Sequence, residues 1–272
     1  WLCSHNAFSA SSSGWWFSQQ NEGIVWQLEV NGVRALMLDL YLREVNGTSQ
    51  VVYDHEGAGK FLHWRLNWEL FSRSLREIKD WLDANPNEVV TLLLEERVRP
   101  SAPGSNLNQK YANTKQLLES AFQDAGLMTT TPGAGYVFWS DRENAAQNGQ
   151  LAWNVASDGW PTLQWMVDSG HRLPVFSDRC YYPDPTITPS NQLPSATNLD
   201  DGFSWIYGYA VENHYDHRSV LDPYNASRRK ESSELSDTSK KLFVLNYFEN
   251  ISSYFFPPST TFTNNYFSLM TK

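Results

Sequence analysis

Two histidines stand where acid–base chemistry can be done: His5 in Cys3-Ser4-His5-Asn6 and His55 in Val51-Val52-Tyr53-Asp54-His55-Glu56. Each follows a short apolar run that reads as a β-strand. Between them lies another such run, residues 32–41, with Asp39 near its C-terminal end. An imidazole with an ordinary pKa of about 6.5 can take or give a proton at neutral pH. Two of them beside carboxylates suit a general base, a general acid and a metal or charge partner. Polar residues gathered at the carboxyl ends of successive strands are where an α/β barrel builds its active site. The pattern points to an enzyme.

The elements that must position these residues alternate between strand and helix signals. After the first strand comes a Ser-rich aromatic loop, residues 9–17, and then residues 20–31, which leave helix or extended structure open. Strand two ends at Asp39 and strand three covers residues 51–54. A helix is predicted over residues 67–84, where Leu70, Phe71, Leu75, Ile78, Trp81 and Leu82 recur at helical spacing and Asn85-Pro86 closes it. Strand four, residues 88–94, is apolar and β-branched, as a strand covered on both faces should be, and runs into Glu95-Glu96. Later strands are expected over residues 136–139, 173–177, 207–211 and 242–245, the last two ending in Glu212 and Asn246, with helices over 114–125 and 162–169. About eight strands separated by helices or long connections specify the α/β class and a single (β/α)8 TIM-type barrel, distorted or incompletely closed. One domain spanning residues 1–272 is expected.

Composition narrows the partners. A net charge of −9 offers no basic stripe for nucleic acid. It also disfavours purely electrostatic docking on an anionic membrane, though not insertion of apolar side chains. The 12 Trp residues suit a carbohydrate-like or lipid-headgroup surface. Trp15, Trp16 and Phe17 read either as a wedge into a lipid interface or as a cluster covering the barrel top. Runs of about 18 apolar residues are missing, so no membrane span is expected. Cys3 and Cys180 allow one disulfide or two buried thiols, and the sequons at Asn46, Asn225 and Asn250 carry little weight. The chain opens on Trp1 rather than Met, which leans the reading towards a removed leader and an extracellular or membrane-associated place. A monomer is expected.

Several segments in order resemble the X region of phosphatidylinositol-specific phospholipase C: residues 4–8 (Ser-His-Asn-Ala-Phe), Gln27-Leu28, residues 32–39, the strand ending in His55, and residues 82–92. Trp160-Pro161-Thr162, His171-Arg172-Leu173, Val211-Glu212-Asn213 and Glu231-Ser232-Ser233 extend the likeness over nearly the whole chain. It is greatest to the small stand-alone X-domain-like proteins of plants, fungi and other microbes.

This resemblance implies that His5 is the general base towards an inositol 2-hydroxyl and His55 the general acid towards the leaving diacylglycerol oxygen. A cyclic inositol phosphodiester is the first product. It implies a Ca2+ or other divalent-cation set at Asn6, Asp39 and Glu95, but the strand-two Glu of calcium-dependent members is replaced by Met37. The Arg that metal-independent members carry two residues after the Asp is replaced by Tyr41. Metal use and metal-free chemistry therefore both stay open. Glu212, Asn246 and Tyr41 are candidates for substrate contact. Arg43, Lys60, Arg65, Arg97 and Arg179 are the few cations near the motifs, which favours phosphatidylinositol or another phosphodiester over highly phosphorylated headgroups. The expected partner is thus a phospholipid headgroup or similar phosphodiester, with transient membrane-surface contact. Two rivals remain: a glycerophosphodiester phosphodiesterase, whose His-Arg-Gly and Glu-x-Asp signatures are not matched, and a barrel without catalysis that binds lipid or another surface.

Overall fold

Leu36, Leu38 and Leu40 alternate with Ala35, Met37 and Asp39 along one strand, and all six are buried. A strand whose two faces are both covered must lie between a layer of helices and a filled interior. The structure is a computed structural model and describes residues 2–15, 18–54, 69–98, 107–128, 135–138, 155–178, 204–213, 228–229, 232–247 and 266–271. His55, Trp16, Phe17, Lys60, Arg65, Arg179, Cys180, Asn225 and Asn250 lie outside them, as do His63, His214 and His217.

The parallel heart of the sheet is β1 (Leu2–Ser4), β2 (Ala35–Val45), β4 (Thr91–Arg97) and β6 (Leu173–Ser177), side by side in that order. The short strand β5 (Val137–Phe138) ends the sheet beyond β6, and β7 (Ser204–Trp205) also pairs with β6. On the other side of β1 come β10 (Tyr266–Thr271), β9 (Leu242–Tyr247) and β8 (Ala210–Glu212). Among the described residues no strand pairing joins the two ends of this order, so the barrel is not closed.

Side-chain alternation sorts the two faces. The even-numbered residues Leu36, Leu38, Leu40, Leu92 and Leu94 pack outwards against α2 (Phe71–Ala84) and α3 (Leu107–Asp124) through Phe71, Leu75, Ile78, Leu82, Leu118 and Phe122. The odd-numbered Cys3, Ala35, Met37 and Leu93 face inwards, where Phe176, Ile206, Tyr207 and Val244 complete an apolar plug. Helix α2 is the one read from its spacing, starting at Phe71 and ending where the Asn85 amide bonds the carbonyls of Trp81 and Leu82. Buried Arg172 donates to the carbonyls of Leu82, Asn85 and Glu88, tying the end of α2 to the sheet.

Several elements differ from the sequence reading. Strand β2 does not stop at Asp39 but runs six residues further, to Val45, and turns back through Asn46-Gly47 into β3 (Thr48–Tyr53). Both turn residues have positive φ, 53° and 78°, the geometry of a two-residue hairpin that Asn-Gly favours. Thus β3 is an antiparallel partner of β2 and not a parallel barrel strand. Residues 24–29 form α1 (Ile24–Glu29). Residues 207–209, the start of a strand expected over 207–211, belong instead to α6 (Ile206–Tyr209), and β8 begins only at Ala210. Strand β10 was not expected; it enters antiparallel between β1 and β9. Two further short helices, α4 (Val155–Asp158) and α5 (Leu163–Ser169), precede β6, with Thr162 Oγ1 accepting from the Trp165 amide at the start of α5.

Candidate active site

Continuing the inward parity past the apolar plug brings polar residues into the same column. On β2 Met37 is followed by Asp39 and Tyr41, and on β4 Leu93 is followed by Glu95 and Arg97. Parallel register sets Asp39 beside Glu95 and Tyr41 beside Arg97. On β6 Phe176 is followed by Asp178, whose Oδ1 accepts from the Glu96 amide at 2.8 Å. Glu95 thus lies on the interior side, whereas Glu96 shares the outward parity of Leu92 and Leu94. Each strand changes from apolar to charged at the same height because adjacent strands are in register. The result is a narrow cleft lined by Met37, Leu93, Phe176, Glu95, Asp178, Tyr207, Glu212 and Arg229, among others.

His5 lies in the turn that follows β1, close enough to Glu95 to favour its charge. The backbone of that turn is held on several sides: the Ala7 amide bonds Met37 O at 3.0 Å, and Gln20 Nε2 donates to His5 O at 2.7 Å. Gln27, 2% exposed, donates to Ala7 O at 2.9 Å. Asn6 is fully buried in this turn with φ of 46°, a left-handed conformation that Asn tolerates better than most residues. His5 Nδ1 lies 2.7 Å from Gln19 Oε1. An amide oxygen only accepts, so Nδ1 donates a proton here, and when the ring is neutral Nε2 holds the lone pair. The neutral ring is therefore arranged as a base at Nε2.

Gln19 is accordingly a positioning residue for His5. Gln19→Leu is expected to lower kcat about 10-fold, the worth of one hydrogen bond of roughly 1–1.5 kcal/mol. Gln19→Glu should raise the imidazole pKa, since a neighbouring carboxylate favours the charged ring. The acid limb of the pH–rate profile would then move to higher pH, and an unmoved limb would show that Gln19 does not act through His5.

The charges are unequal partners. Arg97 Nη1 binds Asp178 Oδ2 at 2.7 Å and its Nη2 stands 3.7 Å from Glu95 Oε2. Arg229 Nη1 is 3.2 Å from Glu95 Oε1 and 3.5 Å from Glu212 Oε1. Buried Tyr207 donates its hydroxyl to Glu212 Oε2 at 2.7 Å. Burial works against the Glu95 charge, but Arg229 first, then Arg97 and His5, outweigh it and hold the carboxyl below its usual range. Asp39 goes the other way. Burial first, then Glu95, push it well above the usual carboxylate range; Arg97 opposes this, while Asp178 and Asp54 add to it.

These facts bear on the cation expected at Asn6, Asp39 and Glu95. Both Glu95 oxygens already face guanidinium groups, and among the described residues no group of three or more His, Cys, Asp or Glu is arranged to hold a metal. As folded, Glu95 is engaged by Arg97 and Arg229, so a divalent ion held here would have to displace these guanidinium groups.

The remaining candidates are dispersed. Tyr41 is buried beneath Arg43, whose guanidinium stands 5.2 Å from the ring centre, and Arg43 pairs with Asp54. The Asp54 amide lies 3.4 Å from Asp39 O, so the chain is beside Asp39 one residue before His55. Glu212 lines the cleft. Asn246 is in β9, its backbone opposite Phe267 of β10. Trp15 packs edge-on against Phe8 at 5.2 Å and donates to Glu69, as a covering cluster would. Cys3 is a free, buried thiol. His171 is buried and stacks on Trp165, away from the cleft lining. Sequence reasoning passed over Arg229 and Tyr207. The run Arg228-Arg229-Lys230, a basic triplet in an acidic chain, was the available signal.

Comparison with known proteins adds the following. No family model matches the sequence. A PI-PLC X domain-containing protein of Arabidopsis thaliana is 27% identical over 255 residues, covering 91% of this chain and 48% of the relative. The chain thus spans about half the length of the curated relative it matches. Among solved structures, a phosphatidylinositol-specific phospholipase C of S. aureus matches at a TM-score of 0.36 and 17% identity, over 64% of this chain and 45% of that one. A Ca2+-dependent phosphatidylinositol-specific phospholipase C of Streptomyces antibioticus matches at 0.36 and 16% identity, over 82% and 67%. Scores this low leave the fold to be read from the strand order itself. The ordered motifs from Ser4-His5-Asn6 to Val211-Glu212-Asn213 thus stand in a chain that is similar, over nine-tenths of its own length, to a PI-PLC X domain-containing protein.

Proposed function

We propose that the chain is a phosphodiesterase acting on phosphatidylinositol-type lipids. The observation that carries this is the site: the His5 imidazole, held at Nδ1 by Gln19, stands close enough to Glu95 to favour its charge, and Glu95 is flanked by two guanidinium groups above an apolar plug. That is a base next to an anion-binding wall, which phosphoryl transfer requires. The PI-PLC X domain of the Arabidopsis relative points to the substrate class.

In this reading the inositol 2-hydroxyl attacks phosphorus and gives its proton to His5. The bond from phosphorus to the diacylglycerol oxygen breaks, and His55 protonates that oxygen. Diacylglycerol and a cyclic inositol phosphate leave, and water can later open the ring. Asp39, Glu212, Tyr41 and Asn246 are proposed to orient the inositol or the imidazoles. The chain is proposed to work as one barrel and as a monomer at a lipid surface, in an extracellular or membrane-associated place. Among the described residues no helix is long and apolar enough to cross a membrane. A divalent cation is a less favoured charge partner, because Glu95 is taken.

The test is release of water-soluble inositol phosphate from phosphatidylinositol vesicles, with and without chelator. Soluble inositol phosphate is expected from the native chain. If neither these vesicles nor soluble inositol and glycerol phosphodiesters are cleaved, the chain binds such groups without turning them over.

A further inference from the structure

Arg229 enters the cleft from the segment between β8 and β9, far in sequence from every strand-end motif. Its side chain is 14% exposed and lines the cleft. It does not serve to dock that segment, which the backbone already fixes. The Arg229 amide bonds Glu212 O at 3.0 Å, Ser232 Oγ accepts from the Glu212 amide at 2.9 Å, and Arg228 Nη1 donates to Ser232 O at 2.6 Å. The guanidinium instead bridges Glu95 on β4 and Glu212 on β8, two carboxylates from opposite parts of the strand order. Two anchors of that kind aim a planar fork and keep it charged.

The two arginines at Glu95 differ in where they stand. Arg97 is bound at 2.7 Å to Asp178, whereas Arg229 is among the residues that line the cleft. Arg229 is therefore the group that an incoming anion meets. We propose that Arg229 is the resident positive charge of this site and binds the phosphate of the substrate, in the role that a divalent cation would otherwise fill. Glu95 and Glu212 are then positioning residues for it and not metal ligands. This rests on the phosphodiesterase reading for the identity of the substrate but not for the binding of phosphate.

The experiment compares the native chain with Arg229→Gln and Arg229→Lys in chelator, by calorimetric titration with myo-inositol 1-phosphate and with myo-inositol. Arg229→Gln is expected to bind the phosphate about 10–100-fold more weakly, the worth of a charged hydrogen bond of roughly 1.5–3 kcal/mol, while myo-inositol affinity stays unchanged. Arg229→Lys keeps the charge between Glu95 and Glu212 but loses the fork, and should fall about 10-fold. It decides the matter if the Gln variant does not fold. Equal phosphate affinity in the native chain and a folded variant overturns the proposal. So does turnover that chelator abolishes and Ca2+ restores. If the native chain cleaves no phosphodiester yet binds inositol phosphate through Arg229, the phospholipase reading fails and this one stands.

Discussion

Replacing His5 by alanine is expected to lower inositol phosphate release by about 10²–10⁴-fold, the usual worth of a positioned general base. The ring is only partly buried, and its turn is held by Gln20, Gln27 and the Met37 carbonyl, none of which needs the imidazole. The variant should therefore fold, with melting temperature close to the native value, and the loss should fall on kcat more than on KM. His5 also supports the Glu95 charge, but only after Arg229 and Arg97, so the anion-binding wall should survive the substitution. Binding of myo-inositol 1-phosphate is expected to persist in His5→Ala. Unchanged turnover in this variant would remove the acid–base reading altogether.

Asp39→Asn is expected to do two opposite things: reduce activity by about 10²-fold or more, and stabilise the fold. The activity loss follows from removing a buried carboxyl group beside Glu95 in a desolvated, preorganised site. The gain in stability follows from the sign of the shift. Burial and the Glu95 charge place the folded pKa of Asp39 well above its ordinary value, so the native state binds this proton more tightly than the unfolded chain. Stability from this group is full below the unfolded pKa of about 3.9 and is lost as pH rises towards the folded value. At pH 7, far above the unfolded pKa, the native chain bears a cost for this group, and Asn removes it without changing shape. Thermal unfolding in chelator should show a higher Tm for Asp39→Asn at pH 7, with roughly 2–4 °C for each kcal/mol relieved. The difference should shrink near pH 4, where Asp39 in the native chain carries its own proton. A lower Tm at pH 7 would mean that a partner for the charge dominates over burial.

The sequence by itself determined the parallel heart of the fold and the height of the site. Alternation in residues 35–41 and 91–97 assigns one parity to the helices and the other to the interior. A switch from Met37 to Asp39 and from Leu93 to Glu95 on the interior parity marks where the plug ends. The spacing of Phe71, Leu75, Ile78 and Leu82 gave α2 for the same reason: a local period reports which face is buried. Asn46-Gly47 was equally legible as a hairpin, yet a strand count built on the parallel pattern passed over it.

Tertiary structure decided what local periods do not carry. Whether Tyr266–Thr271 pairs antiparallel between β1 and β9 depends on partners distant in sequence, and residues 206–209 became helical although their apolar run suits a strand. Which side Glu95 faces was readable from parity; who neutralises it was not. Arg229 lies 134 positions away and reaches Glu95 only because β8 and its following segment fold across the cleft. A pattern of alternating residues fixes direction within a strand, but a charge finds its partner through space. That Glu95 is flanked by Arg97 and Arg229 could therefore appear only once the strands were assembled.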